Sequence, residues 1–256
     1  VSSGLLAQPM KLVTSIKPLT FIAKAVAGDE VEVTTLLPSS LSPHDYALRF
    51  SDRKLMLEAD RIIWIGPELE APLRKILQGD SSLAEKTVAL GHRVGMECGD
   101  SQHKHDHHST DDMEHNCDPH IWLNPDKAIA IAARIRAELL SLKPDSGQQL
   151  EKNYQAFVTQ LRNVTEASKA RLKEVKDVGF VVMHDGYGYL VDYFDLNQLD
   201  ALRLKSGAER GLKHRAQLLE LRQQAACVFS EPQWPLNQAQ RLATQLQARI
   251  GLLDPM

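Results

Sequence analysis

Short apolar runs alternate with helical periodicities through most of the chain. Lys11–Ile16, Val31–Leu37, Arg61–Ile65 and Thr87–Leu90 are β-branched or continuously apolar, and each reads as a strand. Between them Pro18–Ala27, Asp52–Ala59 and Pro72–Leu77 read as helices, with Ser51 offered as N-cap to the second. Strands that are apolar on both faces and separated by helices predict a parallel sheet covered on both sides. Residues 99–119 break the rhythm: they are polar, rich in His and Asp and without period, which predicts a mobile loop. A helix resumes at Pro125, a favoured first-turn residue, and runs to about Leu142.

The next stretch carries the clearest period. Leu150, Tyr154, Phe157, Leu161, Val164, Ser168, Leu172 and Val175 recur at spacings of three and four, with no Pro or Gly between Gln148 and Lys176. A helix of about 28 residues would be about 42 Å long, more than one small lobe spans. Strands and helices then alternate again: strands at Gly179–Met183, Gln198–Leu204 and Ala226–Ser230, helices at Tyr187–Phe194, Lys213–Gln224 and Leu236–Ile250, and a last strand beginning at Gly251. The predicted fold is α/β: two lobes, each a mostly parallel sheet with flanking helices, joined by one long rigid helix. The boundaries fall at 11–142 for the first lobe with its His-rich loop, 146–177 for the linking helix and 178–256 for the second lobe.

Composition narrows the function. The 256 residues suffice for two modest lobes, and 43% hydrophobic with 25% charged residues is ordinary for a globular chain. A net charge of −3 argues against nucleic acid as a partner. No run approaches the roughly 20 apolar residues that cross a bilayer. The first ten residues, Val1 to Met10, lack a basic then apolar leader, so either a signal has been removed or a remnant of its tail or an added stretch remains, and with no Cys nearby a lipid anchor is not expected. Cys98 and Cys117 flank the His-rich segment, while Cys227 is remote. In an oxidising compartment the first two could pair; otherwise all three read as free thiols.

Three histidines sit at strand ends or helix starts: His44 in Ser-Pro-His-Asp-Tyr, His120 in Asp-Pro-His-Ile-Trp, and His184 in Met-His-Asp-Gly-Tyr. In open α/β sheets, ligands bind beyond the carboxyl ends of the strands, so the three can converge on one cleft. They are 76 and 64 residues apart, however, and each taken singly reads more simply as structural. Asp45 and Asp185 follow two of them and could orient rings or cap helices. Glu231, at the end of a strand, could touch the site or cap the next helix. His92 and His214 read as surface residues, and Trp64, Trp122 and Trp234 as core or cleft-wall anchors. His103, His105, His107, His108 and His115 crowd into thirteen residues, a density with few uses besides metal contact, and suggest a weaker secondary metal site. No G-x-S-x-G, P-loop or G-x-G-x-x-G occurs.

Taken in order, Leu37-Pro38, His44-Asp-Tyr46, Pro119-His-Ile-Trp-Leu-Asn-Pro125, His184-Asp-Gly-Tyr-Gly-Tyr189, Phe229-Ser-Glu-Pro-Gln233 and Leu253-Asp-Pro255 resemble the ZnuA family, high-affinity zinc-binding proteins of bacterial ABC importers. The resemblance runs from about Lys11 to Pro255. It implies a periplasmic monomer that carries Zn²⁺ to a membrane permease, with His44, His120 and His184 as ligands. Members that prefer manganese have a carboxylate at the third position, so His184 favours zinc. Some zinc members use a Glu just before the first His, where this chain has Pro43. Asp254, which aligns with an acidic ligand used elsewhere in the family, or a water is then expected as fourth ligand. The oxidising compartment favours a Cys98–Cys117 disulfide. Cys227 is expected unpaired, because the family's partner cysteine would lie beyond Met256. Two other readings share the residues: a three-histidine zinc hydrolase or hydratase, and a metal-binding surface adhesin.

Overall fold

The computed structural model describes residues 9–98 and 117–256. The His-rich segment, with His103, His105, His107, His108 and His115, lies outside the described residues.

The first lobe is built on strands β1 (Met10–Thr14), β2 (Val31–Thr35), β3 (Arg61–Trp64) and β4 (Thr87–Ala89). They pair in the order β2-β1-β3-β4, all parallel. Period-2 geometry sends successive side chains to opposite faces. Leu12 and Ile63 thus enter one core with helices α1 (Lys17–Ala27) and α5 (Pro125–Leu142). Val13, Ile62 and Trp64 enter the other, against α2 (Phe50–Glu58), α3 (Ala71–Gly79) and α4 (Ser81–Ala84). Coverage on both faces explains why these strands read as unbroken apolar runs.

The second lobe repeats the plan. Strands β5 (Phe180–His184), β6 (Gln198–Arg203), β7 (Cys227–Ser230) and β8 (Arg249–Leu252) pair in parallel as β6-β5-β7-β8. Val181 and Met183 face α8 (Leu212–Leu219) and α9 (Leu236–Leu246), while Val182 packs with Tyr187 just before α7 (Gly188–Phe194). In each sheet the first strand is flanked by the second on one side and the third on the other, so each has a switch point at its first strand.

The expected long helix is α6 (Gly147–Leu172), 26 residues or about 39 Å. It lies on α1 and α5, burying Leu150 and Val158 and seating Tyr154, Phe157 and Leu161 against the first lobe's core. Near its other end the Lys169 ammonium sits over the Tyr193 ring of α7, 5.0 Å from the centroid. One helix therefore touches both lobes.

Three local expectations are corrected. The N-terminus of α2 is held not by Ser51 but from within, by the Asp52 carboxylate, which accepts from Arg49 N at 2.7 Å and from the Tyr46 hydroxyl at 2.8 Å. The helix expected to reach Ile250 stops at Leu246, where Gln247 turns left-handed (φ 57°), and β8 starts at Arg249. His214 is half-buried, its Nε2 3.0 Å from Ala201 O and 3.6 Å from Asp200.

Cys98 and Cys117 form a disulfide across a sequence separation of 19 residues, and Cys227 is free. Closing a loop of this length is worth about 3 kcal/mol in the chain-entropy account. Cys98→Ser/Cys117→Ser is expected to lower the free energy of urea unfolding by that order, and an unchanged midpoint would contradict it.

Glu70, at the start of α3, is fully buried beyond the ends of β1 and β3. It accepts from Gly66 N at 3.0 Å, from Ile65 N at 3.3 Å and from the Ser15 hydroxyl. Burial pushes its carboxyl up from the ordinary 4.5 to about 7, against the pull of those donors. The folded chain thus binds this proton more tightly than the unfolded chain does. Its contribution is complete below about pH 4.5 and is lost as pH rises through about 7, an effect of about 3 kcal/mol. Relative to wild type, Glu70→Gln is expected to remove that decline between pH 4.5 and 7 in metal-free denaturation curves, and parallel curves would refute it.

Candidate metal centre

The three sequence-selected histidines converge between the lobes. His184 is the last residue of β5, at the switch point of the second sheet. His44 follows β2 in the connection to α2. His120 stands just past the disulfide, before the short helical turn Ile121–Leu123 that leads into α5. One ligand nitrogen from each can be chosen so that all lie within 4.8 Å of one another. His120 and His184 are buried and His44 is nearly so.

Each ring is fixed by an acceptor. Asp118 Oδ1 lies 3.0 Å from His120 Nδ1. The two Glu231 oxygens lie 2.9 and 2.7 Å from His184 Nδ1. The backbone carbonyl of Leu69 is hydrogen-bonded to the His44 ring, and His44 Nε2 is buried without a partner. Leu69 belongs to the turn that Glu70 holds to Gly66 and Ser15, so the buried carboxylate steadies the backbone that orients His44.

The remaining nitrogens face one another. His120 Nε2 and His184 Nε2 are 3.2 Å apart. With each Nδ1 proton given to a carboxylate, neutral rings would oppose two lone pairs there, an arrangement that a shared cation resolves. Two nitrogens on a tetrahedral Zn²⁺ at about 2.05 Å are themselves about 3.3 Å apart.

Burial, reinforced by repulsion from His120 and His184, holds the His44 imidazole well below its ordinary range. Burial also lowers His120, against the pull of Asp118. Burial alone would raise the Asp118 carboxyl, but the His120 hydrogen bond and Lys205, 3.4 Å away, bring it below the ordinary range. These shifts favour neutral His44 and His120 rings beside an ionised Asp118.

Space at the centre is reserved. A Cβ on Gly186 would fall 2.3 Å from His184 Nε2 and 3.1 Å from His120 Nε2, and one on Gly188 would fall 2.8 Å from Asp118 Oδ2. The Asp-Gly-Tyr-Gly motif thus places hydrogens where side chains would fill the centre. The cavity itself is about 10 Å³, lined by the three histidines with Pro43, Trp122, Glu231, Gln233 and Trp234 among others. That is about the room of a single water.

Asp254 stands outside the group. Its residue is exposed, and its Oδ1 accepts from Gln233 Nε2 and from Met256 N, each at 3.0 Å. Asp185, considered as a ring-orienting partner, instead accepts from Gln198 Nε2 at 3.2 Å, near Arg210. Asp118 and Glu231 hold that role. Asp118 could have been suspected from its place two residues before His120. Trp122 and Trp234 line the cavity, whereas Trp64 is wholly core.

Comparison with known proteins agrees with this geometry. The ZnuA family profile, described as "Zinc-uptake complex component A periplasmic", matches residues 12–256. A high-affinity zinc uptake system protein ZnuA of Yersinia pestis is 38% identical, covering 100% of this chain and 87% of its own length. Its namesake in Haemophilus ducreyi is 31% identical over 96% of this chain and 84% of its own. Among solved structures, a crystal structure of ZnuA superposes with TM-score 0.81 at 26% identity, covering 96% of this chain and 91% of that one. A zinc-bound deletion mutant of ZnuA gives 0.81 at 25% identity, covering 96% and 90%. Two histidine rings from one lobe grouped with a third from the other, and a sequence match along nearly the whole described chain, lead to one conclusion: this chain belongs to the ZnuA family of periplasmic zinc-uptake components.

Proposed function

We propose that this protein captures Zn²⁺ in the periplasm and delivers it to the permease of an ABC importer, acting as a monomer after removal of a signal segment. The observation that carries the reading is the buried group of His44, His120 and His184. Three imidazole nitrogens suit zinc and disfavour Mg²⁺, Ca²⁺ and Mn²⁺, which seek oxygen. Behind the rings, Asp118 and Glu231 supply two negative charges that offset the charge of the ion. The first lobe, taken as 11–142, gives two ligands and the second, taken as 178–256, gives the third. Zinc held by both is released when the permease shifts one lobe against the other, with the 146–177 linker limiting the shift. The segment 99–119 is proposed to gather additional zinc through His103, His105, His107, His108 and His115.

Capture is favoured over hydrolysis or hydration by the cavity of about 10 Å³, which admits a water but no organic substrate beside the metal. His44→Ala, His120→Ala and His184→Ala are each expected to weaken the tight zinc site roughly 100-fold or more in competition titrations. Wild-type affinity in all three would end this assignment. Gly186→Ala, which leaves all three ligands in the sequence, is expected to lower affinity comparably, because the added methyl meets His184 Nε2. Equal affinity there would show that the ion sits elsewhere.

A further inference from the structure

Among the described residues, eleven buried side-chain polar atoms lack a hydrogen-bond partner. Four belong to residues that line the metal cavity: His44 Nε2, Glu231 Oε2, Gln233 Oε1 and Trp234 Nε1. A buried polar atom left unpaired costs on the order of 1–3 kcal/mol, so such a concentration marks a place where something binds. Zinc satisfies His44 Nε2, and Glu231 Oε2 lies 2.7 Å from His184 Nδ1. Gln233 Oε1 is an acceptor and Trp234 Nε1 a donor, and neither can ligate zinc as the imidazoles do.

Gln233 also spans the lobes. Its Nε2 donates to Ser39 O at 2.7 Å, in the connection that carries His44, and to Asp254 Oδ1 at 3.0 Å. Asp254 in turn accepts from Met256 N at 3.0 Å. Two residues before Gln233, Glu231 fixes His184. A single side chain thus ties the His44 connection of one lobe to the His184 support of the other, on the wall of the cavity.

We propose that Gln233 is the latch of the metal site: its amide nitrogen straps the His44 connection to the second lobe, and its carbonyl oxygen accepts a hydrogen bond from a water that completes the zinc's tetrahedron. This rests on the zinc reading above and assigns its fourth position. The water gives its oxygen to zinc and one O–H to Gln233 Oε1, and can accept from Trp234 Nε1–H, which pairs both orphaned atoms with one molecule. Asp254 then serves the site by holding the Gln233 amide rather than the metal. Loading the ion tightens the strap, and loosening the strap frees the ion.

The test uses the full chain, with zinc release followed by stopped-flow transfer to a chromogenic chelator and coordination followed by the visible absorption of the cobalt(II)-loaded protein. Gln233→Ala is expected to release zinc about 10-fold faster, the scale of one or two lost hydrogen bonds. It should also alter the cobalt bands, while the metal-free variant keeps the wild-type circular dichroism spectrum. Gln233→Glu keeps an acceptor oxygen but loses the strap's donors, so it should restore the cobalt bands without restoring the release rate. Gln233→Ala matching wild type in both rate and bands would overturn the latch. So would loss of the wild-type circular dichroism spectrum in the metal-free variant, which would make the residue a fold element, or bands for Gln233→Glu that match those of Gln233→Ala. Cobalt bands unchanged in Gln233→Ala but altered in Asp254→Asn would give the fourth position to Asp254. A wild-type chain that takes up no zinc would instead overturn the zinc reading itself.

Discussion

Everything in this structure answers to the cost of placing a doubly charged ion where bulk water does not reach. A cation stripped of most of its hydration is tolerable only if ligands replace the lost water and nearby charge offsets its own. Neutral imidazoles meet the first demand, since burial holds His44 and His120 below their ordinary range and keeps protons off them. Asp118 and Glu231 meet the second from one layer back, each on the far nitrogen of its histidine. That division matters. A carboxylate on the metal would open the site to harder ions; behind an imidazole it contributes charge and fixes the tautomer without changing the ligand set.

The fold makes this arrangement available twice and uses it jointly. Both sheets place their first strand between the second and third, and ligands in such sheets gather at the carboxyl ends near that point. The second lobe ends its first strand on His184 itself. The first lobe brings His44 from the connection after β2, and adds His120 from the segment leading into α5. Among the described residues neither lobe holds all three histidines, so affinity at the proposed site depends on how the lobes are set. Along its length α6 is packed on α1 and α5, which makes the first lobe and the linker one mechanical unit.

Much of this was legible in the sequence, and the illegible parts share a cause. Continuous apolar runs such as Arg61–Trp64 revealed strands because both faces of the sheet are covered. The three-and-four spacing from Leu150 onwards revealed α6 to within a few residues. The histidines were visible as motifs at element ends. Their supports were not, because a carboxylate that orients a ring looks in sequence like one that caps a helix. Asp185 adjoins a ligand and does something else, while Glu231 is 47 residues from the ring it holds. The Leu69 carbonyl leaves no trace at all, since every residue has one. Asp254 was placed by the direction of a strand expected to begin at Gly251; the strand begins at Arg249, and the side chain emerges exposed beside Gln233.

The contacts between the lobes explain how tight binding and timely release can coexist. Besides Gln233 to Ser39, Trp122 Nε1 donates to Pro255 O at 2.7 Å, and Glu97 N donates to the Tyr189 hydroxyl at 2.7 Å. Lys127 lies over the Tyr189 ring at 5.0 Å, and Lys205 reaches Asp118 at 3.4 Å. Such polar contacts are worth about 1 kcal/mol each, far less than a buried apolar interface of similar reach. Apolar packing adds to them, with Tyr189 buried in the first lobe's core and Leu123 seated against the cluster of Val182 and Tyr187. A docking partner need not pull the metal from its ligands. In the release proposed above, it competes with a few hydrogen bonds and a small apolar seam, and a lobe displacement would separate His184 from His44 and His120 at once. If the three histidines hold one ion as proposed, they act as a unit and a small movement costs most of the affinity, so a stiff linker and a shared site belong together.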